Sequence, residues 1–176
     1  MFTALSALFD AETTITARGT LARRPVGMIE KPLEDLGCSC RTGGGYPPIR
    51  VRGPIRGGSV EVDGSTSSQF LSGLLIALSQ CENDSRVVGI GLASKPYVAM
   101  TIEMLDRFGV RVQTGEKPGI FFVPGRQKMK PIEVDVEGDW SAAAFLLGAG
   151  AVSGSVEVTG IDLESAQGDR AVLSAL

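Results

Sequence analysis

Polar and apolar residues alternate through Ser59-Val60-Glu61-Val62-Asp63, the period of a strand buried on one face. Directly downstream, Phe70, Leu71, Leu74, Leu75 and Leu78 recur at helical spacing. Between the two lies Gly64-Ser65-Thr66-Ser67-Ser68-Gln69, a hydroxyl run placed where a strand hands over to a helix. A helix start carries unpaired N–H groups and the positive end of the dipole, so it receives phosphate well. Thr66-x-x-Gln69 also reads as a capping box, in which one hydroxyl stabilises the helix by about 1 kcal/mol. One hydroxyl suffices for a cap and four are present, so plain cap and phosphate cradle both stand on this segment alone.

The same pattern recurs along the chain. Gly19-Thr20-Leu21-Ala22-Arg23-Arg24-Pro25 resembles Gly91-Leu92-Ala93-Ser94-Lys95-Pro96. Each precedes a helical pattern that ends in glycine: Met28, Leu33, Leu36, Gly37 in one copy and Met100, Leu105, Phe108, Gly109 in the other. Short strands are predicted before both, at Thr13–Arg18 and Arg86–Ile90, and a third at Ser155–Gly160. The hydroxyl run has its own counterpart in Glu137-Gly138-Asp139-Trp140-Ser141-Ala142, again read as following a strand and opening an apolar helix. That copy lacks most of the hydroxyls, which weighs against capping as their whole purpose. The unit thus reads strand–helix–strand–helix–strand–strand, an α+β organisation. Its period of about 70 residues is too long for the common solenoids and suits small units packed about a pseudo-symmetry axis. Gly43-Gly44-Gly45 and Gly57-Gly58 have no P-loop lysine after them and read as turns; Tyr46-Pro47-Pro48 reads as a strand entry.

Cations add to this picture. Arg23-Arg24-Pro25 and Lys95-Pro96 are both predicted at helix starts, where proline is normal but a cation opposes the dipole by roughly 0.3–1 kcal/mol. Two such sites beside a hydroxyl-rich helix start favour an anionic ligand, with Arg24 able to clamp a carboxylate or phosphate in bidentate fashion and Tyr97 adding a hydroxyl. In the third copy, Ser165-Ala166-Gln167-Gly168-Asp169 puts an acid at the corresponding position. Asp169 reads either as a helix-start carboxylate or as a base near a phosphate site.

Composition narrows the chemistry. The 176 residues are 43% hydrophobic and 21% charged, with net charge −3, which fits a globular chain of one or two small domains. No basic run is present, so nucleic acid is not an expected partner, and no apolar run reaches membrane-spanning length. The start lacks the pattern of a signal peptide, and a cytoplasmic setting is expected. There is no histidine, which excludes histidine-based triads and histidine metal sites within this chain and leaves proton transfer to Asp, Glu, Lys or Tyr. The three cysteines, Cys38, Cys40 and Cys81, complete no ligand set and are expected to be buried free thiols.

Taken in order, Arg24-Pro25, Tyr46-Pro47-Pro48, Asp63–Phe70, Ser94-Lys95-Pro96-Tyr97, Val136–Asp139 and Gln167-Gly168-Asp169 resemble the EPSP synthase family, the 3-phosphoshikimate 1-carboxyvinyltransferases. Ser-Ser-Gln-Phe with Ser-Lys-Pro-Tyr carries the resemblance; an Arg-Pro step alone is shared with the related UDP-N-acetylglucosamine enolpyruvyl transferases. The resemblance implies transfer of the enolpyruvyl group of phosphoenolpyruvate to the 5-hydroxyl of shikimate 3-phosphate, releasing phosphate, through a tetrahedral ketal and with no metal or other cofactor. It implies that Ser67, Ser68, Gln69, Ser94 and Tyr97 contact shikimate 3-phosphate. Arg24 and Gln69 contact phosphoenolpyruvate, and Asp169 handles the 5-hydroxyl proton and contacts shikimate 3-phosphate. It further implies repeat units of the enolpyruvyl transferase type about a pseudo-threefold axis, three to a lobe. On that pattern residues 1–135 are part of a first lobe and 136–176 the beginning of a second. The chain is then an internal segment of less than half a family member, without the family's upstream lysine–serine loop and downstream basic residues. It is expected to be inactive alone yet able to bind shikimate 3-phosphate, with Phe145-Leu146-Leu147 as an apolar surface for self-association. A stand-alone anion-binding module and a segment of a UDP-sugar enzyme are the alternative readings.

Overall fold

The computed structural model describes all 176 residues. Its elements are helix α1 (Phe2–Ser6), strand β1 (Thr13–Ile15), helix α2 (Glu30–Asp35), strands β2 (Ser39–Gly43), β3 (Tyr46–Arg52) and β4 (Ser59–Asp63), helix α3 (Gln69–Ser79), strand β5 (Ser85–Ile90), helix α4 (Lys95–Arg107), strands β6 (Gln113–Thr114) and β7 (Ile120–Val123), and helix α5 (Trp140–Ser153). Short 3-10 turns occupy Gly19–Arg23, Gly27–Ile29 and Gly168–Ser174. The chain divides into two compact units, Met1–Lys130 and Pro131–Leu176.

In the first unit the predicted repeat is realised in full from β4 to β7. Strands β4 and β5 run parallel, as the α3 crossover between them requires, and β7 pairs antiparallel with both β5 and β6. The sheet order is β4-β5-β7-β6, and the preceding sheet, β1-β3-β2, has the order of its last three strands. The repeated glycines explain the matching helix ends. Gly37 and Gly109 have φ of 88° and 79°, a left-handed conformation that glycine adopts without steric cost. At each, the glycine N–H reaches the second-last carbonyl (Gly37 to Glu34, 3.0 Å; Gly109 to Asp106, 2.8 Å). The next N–H reaches one residue further back (Cys38 to Leu33, 2.9 Å; Val110 to Leu105, 2.8 Å). This double bond pattern terminates both helices in the same way.

Helix α3 is the centre of the first unit. It is apolar on every side and buries Phe70 to Leu75 and Ala77 to Ser79, as a helix surrounded by other elements should. Leu71, Leu74, Leu75 and Leu78 are fully buried among Ala4 and Ala7 of the N-terminal segment, Leu33 and Leu36 around α2, and Val51, Val62 and Val87 of the strands. Each such side chain stabilises the unit by about 1.5–3 kcal/mol.

Two strands expected from alternation are absent. Neither the residues before Glu137 nor Ser155–Gly160 form a ladder; a single backbone bond, Gly138 N–H to Gly160 carbonyl at 2.9 Å, joins the two stretches. Alternation marks a half-buried extended segment, but a strand also needs a partner for its N–H and C=O groups. The second unit is built instead on α5, which buries Trp140, Ala143 and Gly150 and leaves Phe145, Leu146 and Val152 exposed. No helix of the chain is long and apolar enough to cross a membrane.

All three cysteines are free and buried, as expected. Burial pushes the Cys38 and Cys81 thiols up to about 11, and burial with the nearby Glu30 carboxylate pushes Cys40 up to about 12. Because the thiolate is the nucleophile, native thiols should react with Ellman's reagent far more slowly than the same thiols after unfolding. The sign of the pH effect follows: as pH rises above about 9 the unfolded chain loses thiol protons that the native chain keeps. Stability should fall by about 1.4 kcal/mol per pH unit for each thiol still protonated in the native state. A melting temperature unchanged between pH 8 and pH 10.5 would contradict this.

Candidate anion-binding site

Two turns of different kinds shape the start of α3. Asp63 ends β4 and its Oδ1 accepts the Ser65 N–H at 2.9 Å; hydrogen bonding from the Ser65 side chain and then this N–H holds the Asp63 carboxyl below its ordinary value. Two residues on, Ser67 Oγ accepts the Gln69 N–H at 3.2 Å. Such side-chain turns compete with helical bonding and delay the helix to Gln69. The capping box expected of Thr66 and Gln69 is therefore not formed. The residue at the cap is Ser68, in helical conformation (φ −77°, ψ −10°), and its side chain makes no capping bond. Ser68 is buried, Ser67 half-buried and Gln69 exposed. A buried hydroxyl at a helix start, spared from capping, is free to serve a ligand.

Helix α4 starts in a comparable way. Ser94 is its cap residue without a side-chain cap bond, Pro96 lies in the first turn, and Tyr97 follows. The two helices are linked one turn further in, where Thr101 Oγ1 donates to the Tyr97 carbonyl at 2.8 Å and lies 2.8 Å from Ser72 Oγ.

Arg24 corrects one expectation. It does not open a helix: it follows the 3-10 turn Gly19–Arg23 in extended conformation (φ −77°, ψ 127°). Proline disfavours helical geometry in the residue before it, and Pro25 imposes that on Arg24. Helical bonding resumes only at Gly27, where the N–H groups of Val26 and Gly27 both donate to the Gly45 carbonyl at 2.7 and 3.1 Å. The glycine turn between β2 and β3 thus anchors the segment that carries Arg24. The opposition between cation and helix dipole holds for Lys95 alone.

These elements enclose a cleft of about 740 Å³ in the first unit. Arg24, Ser67, Ser68, Gln69, Ser94 and Tyr97 all line it. Its apolar part comes from Ile76, Met100, Met104, Phe108 and Met129. Sequence reasoning missed Ser72 and Thr101, which also line it; each stands one turn after a named residue, at i+4 from Ser68 and from Tyr97, on the same helix face. Lys95 lies elsewhere: it lines a second cavity of about 430 Å³ with Gly89, Leu92 and Phe121. The cleft therefore brings together the hydroxyls of Ser67, Ser68, Ser72, Ser94, Tyr97 and Thr101, the Gln69 side-chain amide and the Arg24 guanidinium.

Asp169 belongs to the second unit, in the 3-10 turn Gly168–Ser174. Its Oδ2 accepts the Ser141 hydroxyl at 2.5 Å, so it stands beside the start of α5. Asp139 caps that helix by accepting the Ser141 N–H at 2.8 Å. Gln167, not singled out as a site residue, fixes the approach of the two segments. Its Oε1 accepts the Trp140 N–H and its Nε2 donates to the Gly138 carbonyl, each at 2.9 Å.

Known proteins resemble this chain over its whole length. The family model described as EPSP synthase (3-phosphoshikimate 1-carboxyvinyltransferase) matches residues 1–176. A 3-phosphoshikimate 1-carboxyvinyltransferase of Methanosarcina acetivorans is 41% identical, the match covering 100% of this chain and 42% of that protein. One from Actinobacillus pleuropneumoniae serotype 5b is 40% identical over 95% of this chain and 40% of its own length. An EPSP synthase structure from Acinetobacter baumannii superposes with a TM-score of 0.72 at 24% identity, covering 98% of this chain and 39% of that one. A second structure of the enzyme from that organism gives 0.67 at 26% identity, over 84% and 33%. The chain thus spans about 42% of the length of the first of these relatives.

Proposed function

We propose that this chain, which belongs to the EPSP synthase family, carries the shikimate 3-phosphate half of an enolpyruvyl-transfer site. The observation that supports this best is the convergence of Arg24, Ser67, Ser68, Gln69, Ser94 and Tyr97 on one cleft at the starts of two helices. On this reading the 3-phosphate is received by the Ser67 and Ser68 hydroxyls and the first-turn N–H groups of α3. Ser94 and Tyr97 contact the same substrate from α4. Gln69 reaches toward phosphoenolpyruvate, and Arg24 clamps one of its anionic groups with two parallel hydrogen bonds.

The reaction proposed for the protein to which these residues belong follows from the substrates. The 5-hydroxyl oxygen bonds to C2 of phosphoenolpyruvate while C3 gains a proton, giving a tetrahedral ketal. The ketal then breaks its C2–O bond to phosphate and C3 loses a proton, restoring the C2=C3 double bond as an enol ether and releasing phosphate. Asp169 is proposed to take the 5-hydroxyl proton, with the Ser141 hydroxyl bond holding its carboxylate in place. The substrates are highly anionic, so a fixed guanidinium and pre-oriented hydroxyls and amides are the groups that would stabilise the charge shifting between oxygens. A cytoplasmic setting goes with this reading. For the 176-residue chain by itself, the proposal is substrate binding without turnover.

Titration calorimetry tests it. Shikimate 3-phosphate should bind the chain saturably, and a UDP-sugar should not. Binding of the UDP-sugar with none of shikimate 3-phosphate would assign the site to a different transferase. Sustained phosphate release from both substrates together would overturn the half-site proposal.

A further inference from the structure

We propose that Leu92 is a positioning residue, setting the spacing between the two loops that deliver the site hydroxyls, and that Gly64 is glycine to leave room for it. The proposal rests on the reading of Ser67, Ser68 and Ser94 as ligand groups. The loops are 64–68, after β4, and 91–94, after β5. They are stitched by two backbone bonds, from the Gly64 N–H to the Ile90 carbonyl at 2.8 Å and from the Ala93 N–H to the Gly64 carbonyl at 3.3 Å. Leu92 lies between them, half-buried and packed against the core.

The space under Leu92 is formed by glycines. A Cβ at Gly64 would lie 2.4 Å from Leu92 Cδ2, and one at Gly89 would lie 2.8 Å from the same atom and 3.2 Å from Cδ1. Gly64 is buried and does not have a positive φ, so alanine is compatible with its backbone; the obstacle is Leu92. Either Leu92 or the Gly64 loop must move to admit a methyl group. Ser94 follows Leu92 by two residues, and Ser67 and Ser68 follow Gly64 by three and four, so a backbone shift on either side changes the separation of the hydroxyls. A displacement of about 1 Å in a positioned site can cost as much as 100-fold.

Three variants of the chain test this: Gly64→Ala, Gly64→Ala with Leu92→Val, and Leu92→Ala. Valine removes the Cδ2 atom that would clash with the new methyl group and keeps a branched apolar side chain. Shikimate 3-phosphate affinity by calorimetry and exchange of the Ala93 amide proton are measured at a temperature where each variant is fully folded. Gly64→Ala should weaken affinity about tenfold and speed Ala93 exchange by a similar factor. Adding Leu92→Val should bring both back to within about threefold of the parent, a rescue that general loss of stability does not produce. Wild-type affinity and exchange in Gly64→Ala, or no recovery in the double variant, would overturn the proposal. If Gly64→Ala does not fold, Leu92→Ala decides, since it opens space without a clash: faster Ala93 exchange supports the assignment and unchanged exchange refutes it. Failure of the parent to bind shikimate 3-phosphate would refute the ligand reading instead, and the exchange measurement would still judge the role of Leu92.

Discussion

Replacing Ser67 and Ser68 together with alanine is expected to weaken shikimate 3-phosphate binding by about 100- to 10,000-fold. Each hydroxyl is proposed to donate to a phosphate oxygen, and a hydrogen bond to a charged group contributes about 1.5–3 kcal/mol. Every 1.4 kcal/mol is tenfold in affinity. The folded state should respond far less. Ser68 makes no capping bond, and Ser67 Oγ accepts only the Gln69 N–H, at 3.2 Å. Loss of about 1 kcal/mol of local support corresponds to a fall in melting temperature of about 2–4 °C in a chain of this size. The two measurements separate cradle from cap. A large loss of stability with unchanged affinity would return the hydroxyl run to a purely structural role.

The second large effect is expected in the 131–176 unit. Trp140 is the only tryptophan of the chain and is fully buried. Its indole N–H donates to the Asp162 carbonyl at 2.8 Å, and its backbone N–H is held by Gln167. Trp140→Ala should cost about 3–5 kcal/mol by cavity formation. A unit of this size has little stability to spare, so the amides of α5 should lose their protection against hydrogen exchange while those of α3 keep theirs. Trp140→Phe keeps most of the volume and leaves the Asp162 carbonyl without its donor, and should cost about 1–3 kcal/mol. Equal loss of protection in α3 and α5 would show that the units do not unfold separately. Unchanged protection in α5 would show that Trp140 does not hold its unit together.

Much of the architecture is legible in the chain because the signals are local. Alternation at Ser59–Asp63 and helical spacing from Phe70 to Leu78 each describe one element and the face it buries. The pairing of Gly19 with Gly91 and of Gly37 with Gly109 reflects backbone requirements that recur in both copies, with positive φ at all four. Other features depend on partners that local pattern does not specify. The stretches around Val136 and Ser155–Gly160 alternate, but only one backbone bond joins them. The start of α3 is not fixed by spacing, because several side-chain oxygens near it, including those of Asp63, Ser67 and Ser68, can each satisfy an N–H, and the pattern does not say which is used.

The site was legible to a similar degree and for similar reasons. Hydroxyl-rich helix starts and a nearby arginine point to an anionic ligand by residue type, and the six residues named in the first unit share one cleft. Lys95 shares their position in the repeat, yet it lines another cavity. Ser72 and Thr101 enter the cleft only through the pairing of α3 with α4. Leu92 is an ordinary apolar residue in sequence, and its role rests on the glycines around it.

The central claim is that one cleft, bounded by the starts of α3 and α4 and by Arg24, receives shikimate 3-phosphate. Amide chemical shifts of the isotopically labelled chain, followed as shikimate 3-phosphate is added, test it most directly. Shifts concentrated at residues 67–71, at Ser94, Lys95, Tyr97 and Val98 and at Arg24, saturating along one binding curve, are the expected result. Saturable binding that leaves these amides unmoved, or no binding at all, would contradict it.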